Sequence, residues 1–281
     1  MKKATVLARR GAMMANPSQR HWICERSHRM PILELTLVIV CGLTIMGAQS
    51  ALAQTFTVVY NFTGGGDGAN PAAGVSLDRR GNLYGTTSAG GIGQNGTVFK
   101  LTHRGSSWTL NPLYRFAGGT DGSIPQAPVI FGPDGNLYGT TYVGGGTNCA
   151  GGAGCGIVFK ITPPPTACLT ALCPWTEHVL YRFTGHSDGG VPGWGTLVFD
   201  PQGNLYGTTI DGGNQNCPYG GCGVVFELSP SAGGWSDSTV YSFTGQDDGQ
   251  WPIPSVIFDA AGNLYGAADG GAYGPAPYTS W

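Results

Sequence analysis

From residue 54 onward, apolar positions fall in short runs that alternate with polar ones at a period of two, and clusters of Gly, Asn, Asp and Pro separate the runs. This pattern predicts short β-strands joined by turns, and no helical spacing of apolar residues competes with it. Residues 196–243 show a full set: strand a over 196–200, strand b over 204–209, strand c over 223–229 and strand d over 239–243. The a to b connections (78–81, 132–135, 200–203 and 259–262) end in Gly-Asn, which is hairpin chemistry with glycine supplying a positive φ. Their aspartate stands first in three copies (Asp78, Asp200, Asp259) but third in the other (Asp134), which favours a turn role over a ligand role. Strand b carries an interior glycine in every copy (Gly85, Gly139, Gly207, Gly266), a weakness unless a neighbour must approach closely.

The set repeats. GNLYG begins at Gly81, Gly135, Gly203 and Gly262, and Asp-Gly pairs start 14, 14, 15 and 14 residues earlier, at Asp67, Asp121, Asp188 and Asp248. A proline follows each aspartate by four residues (Pro71, Pro125, Pro192, Pro252). One unit of this size cannot bury its own apolar faces, so copies must stack. The expected fold is all-β, a β-propeller-like array of four-stranded blades with about four repeats, anchored near 67–116, 121–183, 188–243 and 248–281. Residues 55–62 match strand d, so the predicted order is d, three abcd sets, then a and b, 15 strands in all. The fourth repeat stops at Trp281 without a GxVFxL segment, so we read the chain as a piece of a longer array with open blade edges that invite self-association.

GNLYGTT at 81–87, the Gly-Gly that follows, GTVFKLT at 96–102, LYRF at 113–116 and the DGxxP segments resemble the GloVer tandem-repeat family of exported bacterial proteins. The resemblance spans residues 57–271. It implies a secreted or surface protein, propeller-like and often carrying a C-terminal sorting anchor, with no known chemistry. No such anchor segment stands in this sequence.

Residues 1–53 differ in kind from the rest. They hold seven of the 14 Lys and Arg against two of the 16 acids, then an apolar run over 35–46 and Ala51-Leu52-Ala53. That is the layout of a secretory signal peptide behind a long basic leader, cleaved before Gln54, with Met30 as an alternative start to Met1. The run is short for a membrane span, and no span is expected in the mature chain. Without the leader the formal charge moves from −2 to −7, which argues against nucleic acid as a partner. Six cysteines remain as three close pairs, Cys149 with Cys155, Cys168 with Cys173 and Cys217 with Cys222. In an exported chain these read as local disulfides.

Strands alternate direction, so the d to a and b to c loops share one end of each blade. The ligand-binding candidates there are Asp67, Asp121, Asp188 and Asp248 with Trp194, Trp251, Tyr142 and Tyr219, joined by Tyr273. Acids beside aromatics suit a glycan or a protein ligand, although Asp-Gly followed by proline also sets a turn. No metal site and no cofactor are expected; calcium, the alternative, wants about six to eight oxygens and these loops offer one or two carboxylates each. No catalytic residue is assigned, because His103, His178 and His186 occupy non-equivalent positions without a nucleophile motif. The expected function is a secreted or cell-surface binding and structural scaffold. Its rival is a propeller hydrolase or lactonase acting through the DGxxP acids.

Overall fold

The computed structural model describes residues 56–146, 149–165 and 175–270. The expected leader, Cys168, Cys173 and Tyr273 lie outside the described residues. The first blade comprises β1 (Ser76–Leu77), β2 (Leu83–Thr87), β3 (Thr97–Arg104) and β4 (Ser107–Arg115). The second comprises β5 (Ile130–Phe131), β6 (Leu137–Thr141), β7 (Ile157–Thr162) and β8 (Thr176–Arg182). The third comprises β9 (Val198–Phe199), β10 (Leu205–Thr209), β11 (Val224–Ser231) and β12 (Gly234–Ser242), and the fourth repeat contributes β13 (Ile257–Phe258) and β14 (Leu264–Tyr265). Each complete blade is an antiparallel meander in chain order, so the protein is an all-β array of propeller-like blades.

The a to b hairpin shows why its residues recur. Asp78 accepts from the backbone of Arg80 and Asn82 at 2.8 and 2.9 Å, from Asn82 Nδ2 at 2.7 Å and from the Tyr84 hydroxyl at 3.1 Å. Asp200 and Asp259 repeat this set. Asp134, two residues later in its turn, still receives Asn136 N, Asn136 Nδ2 and the Tyr138 hydroxyl. The acid can stand at either end of the turn because only the carboxylate's position matters. Burial pushes the Asp78 carboxyl up, but the donors from Asn82, Arg80 and Tyr84 outweigh it and hold the group at about 2. Asn and Tyr of GNLYG are thus turn clamps.

Aromatic rings join one blade to the next. The phenylalanine after strand d packs edge-on against the strand c phenylalanine of the following blade, Phe116 on Phe159 and Phe183 on Phe226, and Phe62 ahead of the first blade packs on Phe99 in the same way, at 5.0 to 5.1 Å between ring centres. The GNLYG tyrosine meets the strand a phenylalanine of the following blade in the same manner, as Tyr84 on Phe131, Tyr138 on Phe199 and Tyr206 on Phe258. The two main cores therefore lie between blades, and each fully buried ring contributes about 1.5–3 kcal/mol of transfer free energy. The strand b glycines belong to this packing. A Cβ on Gly139 would stand 2.6 Å from Phe159 Cζ, and one on Gly207 would stand 2.6 Å from Phe226 Cζ.

Two expectations need correction. Strand d begins earlier than predicted, at Gly234 in the third blade, because a tight turn continues the ladder from Ser231↔Gly234 up to Val224↔Ser242. Residues 56–62 form no strand, leaving 14 strands among the described residues where 15 were predicted. Every observed strand d pairs with the strand c that precedes it, and no strand c precedes residue 56 among the described residues. What survives there is the side-chain part of the pattern, the Phe62 ring contact and the Tyr60 hydroxyl donating to Asp67.

Candidate functional site

The d to a and b to c loops do meet at one end of each blade. Antiparallel bridges tie Ala69 to Ala89, Ser123 to Val143, Gly190 to Asp211 and Gln250 to Asp269. The DGxxP aspartates sit under this end, with their carboxylates turned to their own loop. Asp188 is buried and accepts from Thr184 N at 2.7 Å, Thr184 Oγ1 at 2.5 Å, the Tyr181 hydroxyl at 3.1 Å and His186 N at 3.2 Å. Asp67 and Asp248 take the same tyrosine, backbone and threonine donors, and Asp121 takes the Tyr114 hydroxyl and Ala117 N. For Asp67 and Asp248 burial raises the carboxyl, and the threonine and tyrosine donors more than offset it, so both lie below the usual carboxylate range.

The residue before each proline is the strained point of the loop. Asn70, Ile124, Val191 and Trp251 have φ of 53°, 58°, 54° and 52°, a region costly for any L-residue and most of all for branched Ile and Val. Two backbone hydrogen bonds hold each of the last three. Ile124 N donates to Asn95 O of the preceding blade while its carbonyl accepts Tyr142 N of its own blade. Val191 and Trp251 do the same with Cys155 O and Ile210 N, and with Cys222 O and Asp269 N. The proline then packs on the preceding blade's glycine before strand c: a Cβ on Gly96, Gly156 or Gly223 would stand 2.6 Å from Pro125, Pro192 or Pro252 Cδ.

Disulfides close Cys149–Cys155 and Cys217–Cys222, each within one b to c loop. Their sulfurs face the next blade, where a Cβ on Gly185 or Gly245 would meet Cys149 or Cys217 Sγ. In the first blade Asn95 takes the equivalent place, accepting from the Ser123 hydroxyl at 2.8 Å.

Of the aromatic candidates, Tyr142 and Trp194 come together, their rings tilted by 45° with centres 5.9 Å apart, and Trp194 is 44% exposed. Trp251 instead donates its indole N–H to Gly221 O at 3.2 Å. Tyr219 lies in a 3-10 turn, Pro218–Gly220, and its side chain lies outside the described residues. His103 tilts against Trp108, and His178 lies beside the Thr162 hydroxyl.

Three acids escaped the sequence reading. Asp211 starts the third b to c loop where Ala89 and Val143 stand in earlier copies; its carboxyl is half-buried and pushed up to about 6 by desolvation. The Tyr142 phenol is raised by burial and then by the Asp211 charge. Glu177 on β8 and Asp237 on β12 each keep one buried carboxylate oxygen without a partner. Desolvation, then the charge of Asp121 or Asp188 in the loop that leads into the same blade, pushes them up to about 7 and about 6. No group of three or more metal-ligating side chains occurs among the described residues.

The repeat has a known sequence signature. The profile of the Gloeobacter/Verrucomicrobia repeat matches residues 44–192, more than half of the chain. The protein belongs to this repeat family. No curated protein matches it. Among solved structures, this Gloeobacter/Verrucomicrobia repeat protein is similar to a putative 6-phosphogluconolactonase from Bacteroides uniformis, with 16% identity and a TM-score of 0.40 over 71% of this chain and 54% of that one. It is also similar to a PL25 ulvan lyase bound to a glucuronate–sulfated rhamnose unit (11% identity, TM-score 0.39, 69% and 40% covered). A third is a putative oxidoreductase (glucose dehydrogenase) from Thermus thermophilus (16%, 0.31, 76% and 80%). The chain thus spans about half of the lactonase and less of the lyase.

Within the Gloeobacter/Verrucomicrobia repeat, one junction departs from the others. Thr86 and Thr208 donate to carbonyls of the following blade, Ala127 O at 2.9 Å and Pro254 O at 3.2 Å. Their counterpart Thr140 is buried and its hydroxyl has no partner. The third copy has one more residue between Asp-Gly and GNLYG than its neighbours, and Gly193-Trp194-Gly195 fall in that stretch. That offset of 15 is the sequence signal of a special junction.

Proposed function

We propose that the protein is a secreted or cell-surface scaffold that binds a ligand without turnover at the end carrying the DGxxP and b to c loops. One observation carries this reading: the four repeated carboxylates that would do chemistry there are occupied by donors from their own loops and from the tyrosine that precedes each loop. A general acid or nucleophile must present a free, positioned oxygen to a substrate, and these oxygens hold turns instead. Export fits the basic and apolar leader and the paired cysteines. No helix among the described residues is long and apolar enough to cross a membrane.

The test is to screen the purified protein on glycan and protein arrays and to follow each captured ligand for chemical change. Retention of an unaltered ligand is the expected result. Consumption of a ligand, abolished by Asp188→Asn, would establish the hydrolase reading instead.

A further inference from the structure

At the junction of the second and third blades, three features coincide that occur together at no other described junction. The first is the Tyr142–Trp194 pair, two rings from successive blades with centres 5.9 Å apart and planes tilted by 45°, of which Trp194 is 44% exposed. The second is Asp211, whose backbone bridges to Gly190 in the loop that carries Trp194, and whose carboxylate has no hydrogen-bond donor and no cation among the described residues. The third is the altered register that leaves the Thr140 hydroxyl unpartnered and brings Gly193 against Ile210, the neighbour of Asp211. The single ion pair among the described residues is Lys160 with Asp134, in a different turn.

We infer that Tyr142, Trp194 and Asp211 form a binding site for an alkylated ammonium group, of the trimethylammonium class. This rests on the binding reading above and names the chemistry of one site on that end. A partly desolvated carboxylate without a counter-ion is unfavourable, and a cation placed beside it relieves that cost. The exposed Trp194 indole, packed on Tyr142, offers a negative π-face to a cation, and it suits one whose methyl groups have little hydration to lose. A neutral sugar would stack on Trp194 but leave the Asp211 charge uncompensated. The wall behind Asp211 is built tightly, since a Cβ on Gly220 would stand 3.0 Å from its Oδ2, and the Cys217–Cys222 bridge closes that loop.

The experiment is calorimetric titration of the purified protein with choline, phosphocholine and Nε-trimethyl-lysine, alongside 3,3-dimethylbutanol, the neutral isostere of choline, and cellobiose. Saturable binding of choline is expected, weakened by about tenfold or more in Trp194→Ala and in Asp211→Asn, a factor suited to one desolvated cation–π or charge contact. Which of the three ammonium ligands binds tightest separates a lipid or glycan headgroup from a modified protein side chain. Affinity is also expected to rise between pH 5 and pH 8 as Asp211, titrating at about 6, loses its proton. This pH arm needs no mutant, so a misfolded variant does not shield the inference. Equal binding of dimethylbutanol, binding of cellobiose alone, or no saturation by ~10 mM choline would each overturn it. If the arrays retain a ligand while choline fails, the ammonium site is wrong and the scaffold reading stands; if choline binds but is consumed, the scaffold reading fails and the site stands.

Discussion

Replacing Asp188 separates a turn clamp from a ligand contact, because the structure gives different costs for two substitutions. In the native loop Oδ2 receives Thr184 N and the Tyr181 hydroxyl, and Oδ1 receives the Thr184 hydroxyl and His186 N. Asp188→Asn can keep its amide oxygen on the first pair and donate its NH2 to the Thr184 hydroxyl, which reverses its role. The loss is then His186 N, already the longest bond at 3.2 Å, together with the charge assistance. It is partly offset because the Asp188 charge no longer opposes ionisation of Asp237. The expected cost is about 1 kcal/mol. Asp188→Ala strands both backbone N–H groups and the Thr184 hydroxyl at a buried position, and the expected cost is about 3 kcal/mol. For a domain of this size those costs correspond to melting-point losses of about 2–4 °C and about 6–12 °C. Thermal melts of the three proteins at one pH are the assay. If Asn and Ala melt together near the wild type, the carboxylate does not hold the loop; if both fall by the larger amount, its charge has a partner other than these donors.

Two further outcomes follow from the packing and the buried acids. Gly139→Ala should cost about 1–3 kcal/mol in denaturant titration, since its methyl would stand 2.6 Å from a fully buried ring, whereas Gly266→Ala, 3.1 Å from Val256 Cγ1, should cost less. Glu177 and Asp237 titrate at about 7 and about 6 in the folded protein, above their usual values, so the folded state binds protons more tightly than the unfolded chain there. Stability should therefore decline as pH rises from about 5 through about 7, and Glu177→Gln should flatten that decline; a melting point that rises over this range would refute the assignment. Below that range the lowered carboxyls, Asp78 at about 2 among them, reverse the slope as they take up protons.

The blade pattern was legible because it is written in period two and in turn residues, both local properties. The same locality explains what escaped. Strand d looked short because residues 234–238 are polar and exposed on alternate positions, while their pairing is fixed by a hairpin to a strand already formed. A residue before proline is ordinarily extended, so nothing in Ile124-Pro125 or Val191-Pro192 signals a left-handed backbone; the bonds that enforce it come in part from the neighbouring blade. The aromatic half of the candidate site could be listed from sequence, but the pairing of Tyr142 with Trp194 could not, since they lie on different blades. Asp211 went unremarked although its place in the repeat, after Ala89 and Val143, made it conspicuous.

The joint before each proline recognises main-chain atoms alone. Asn, Ile, Val and Trp occupy that one slot in the four repeats with φ confined to 52–58°; Ile124, Val191 and Trp251 share the full two-bond fastening, and Asn70 keeps the half within its own blade, its carbonyl accepting Ser88 N. Those backbone bonds place no demand on what the positions display, and Trp251 adds its indole N–H to Gly221 O of the preceding blade. The Trp251 indole and the Asn70 amide show how different the occupants of one slot can be while the backbone beneath them keeps one conformation.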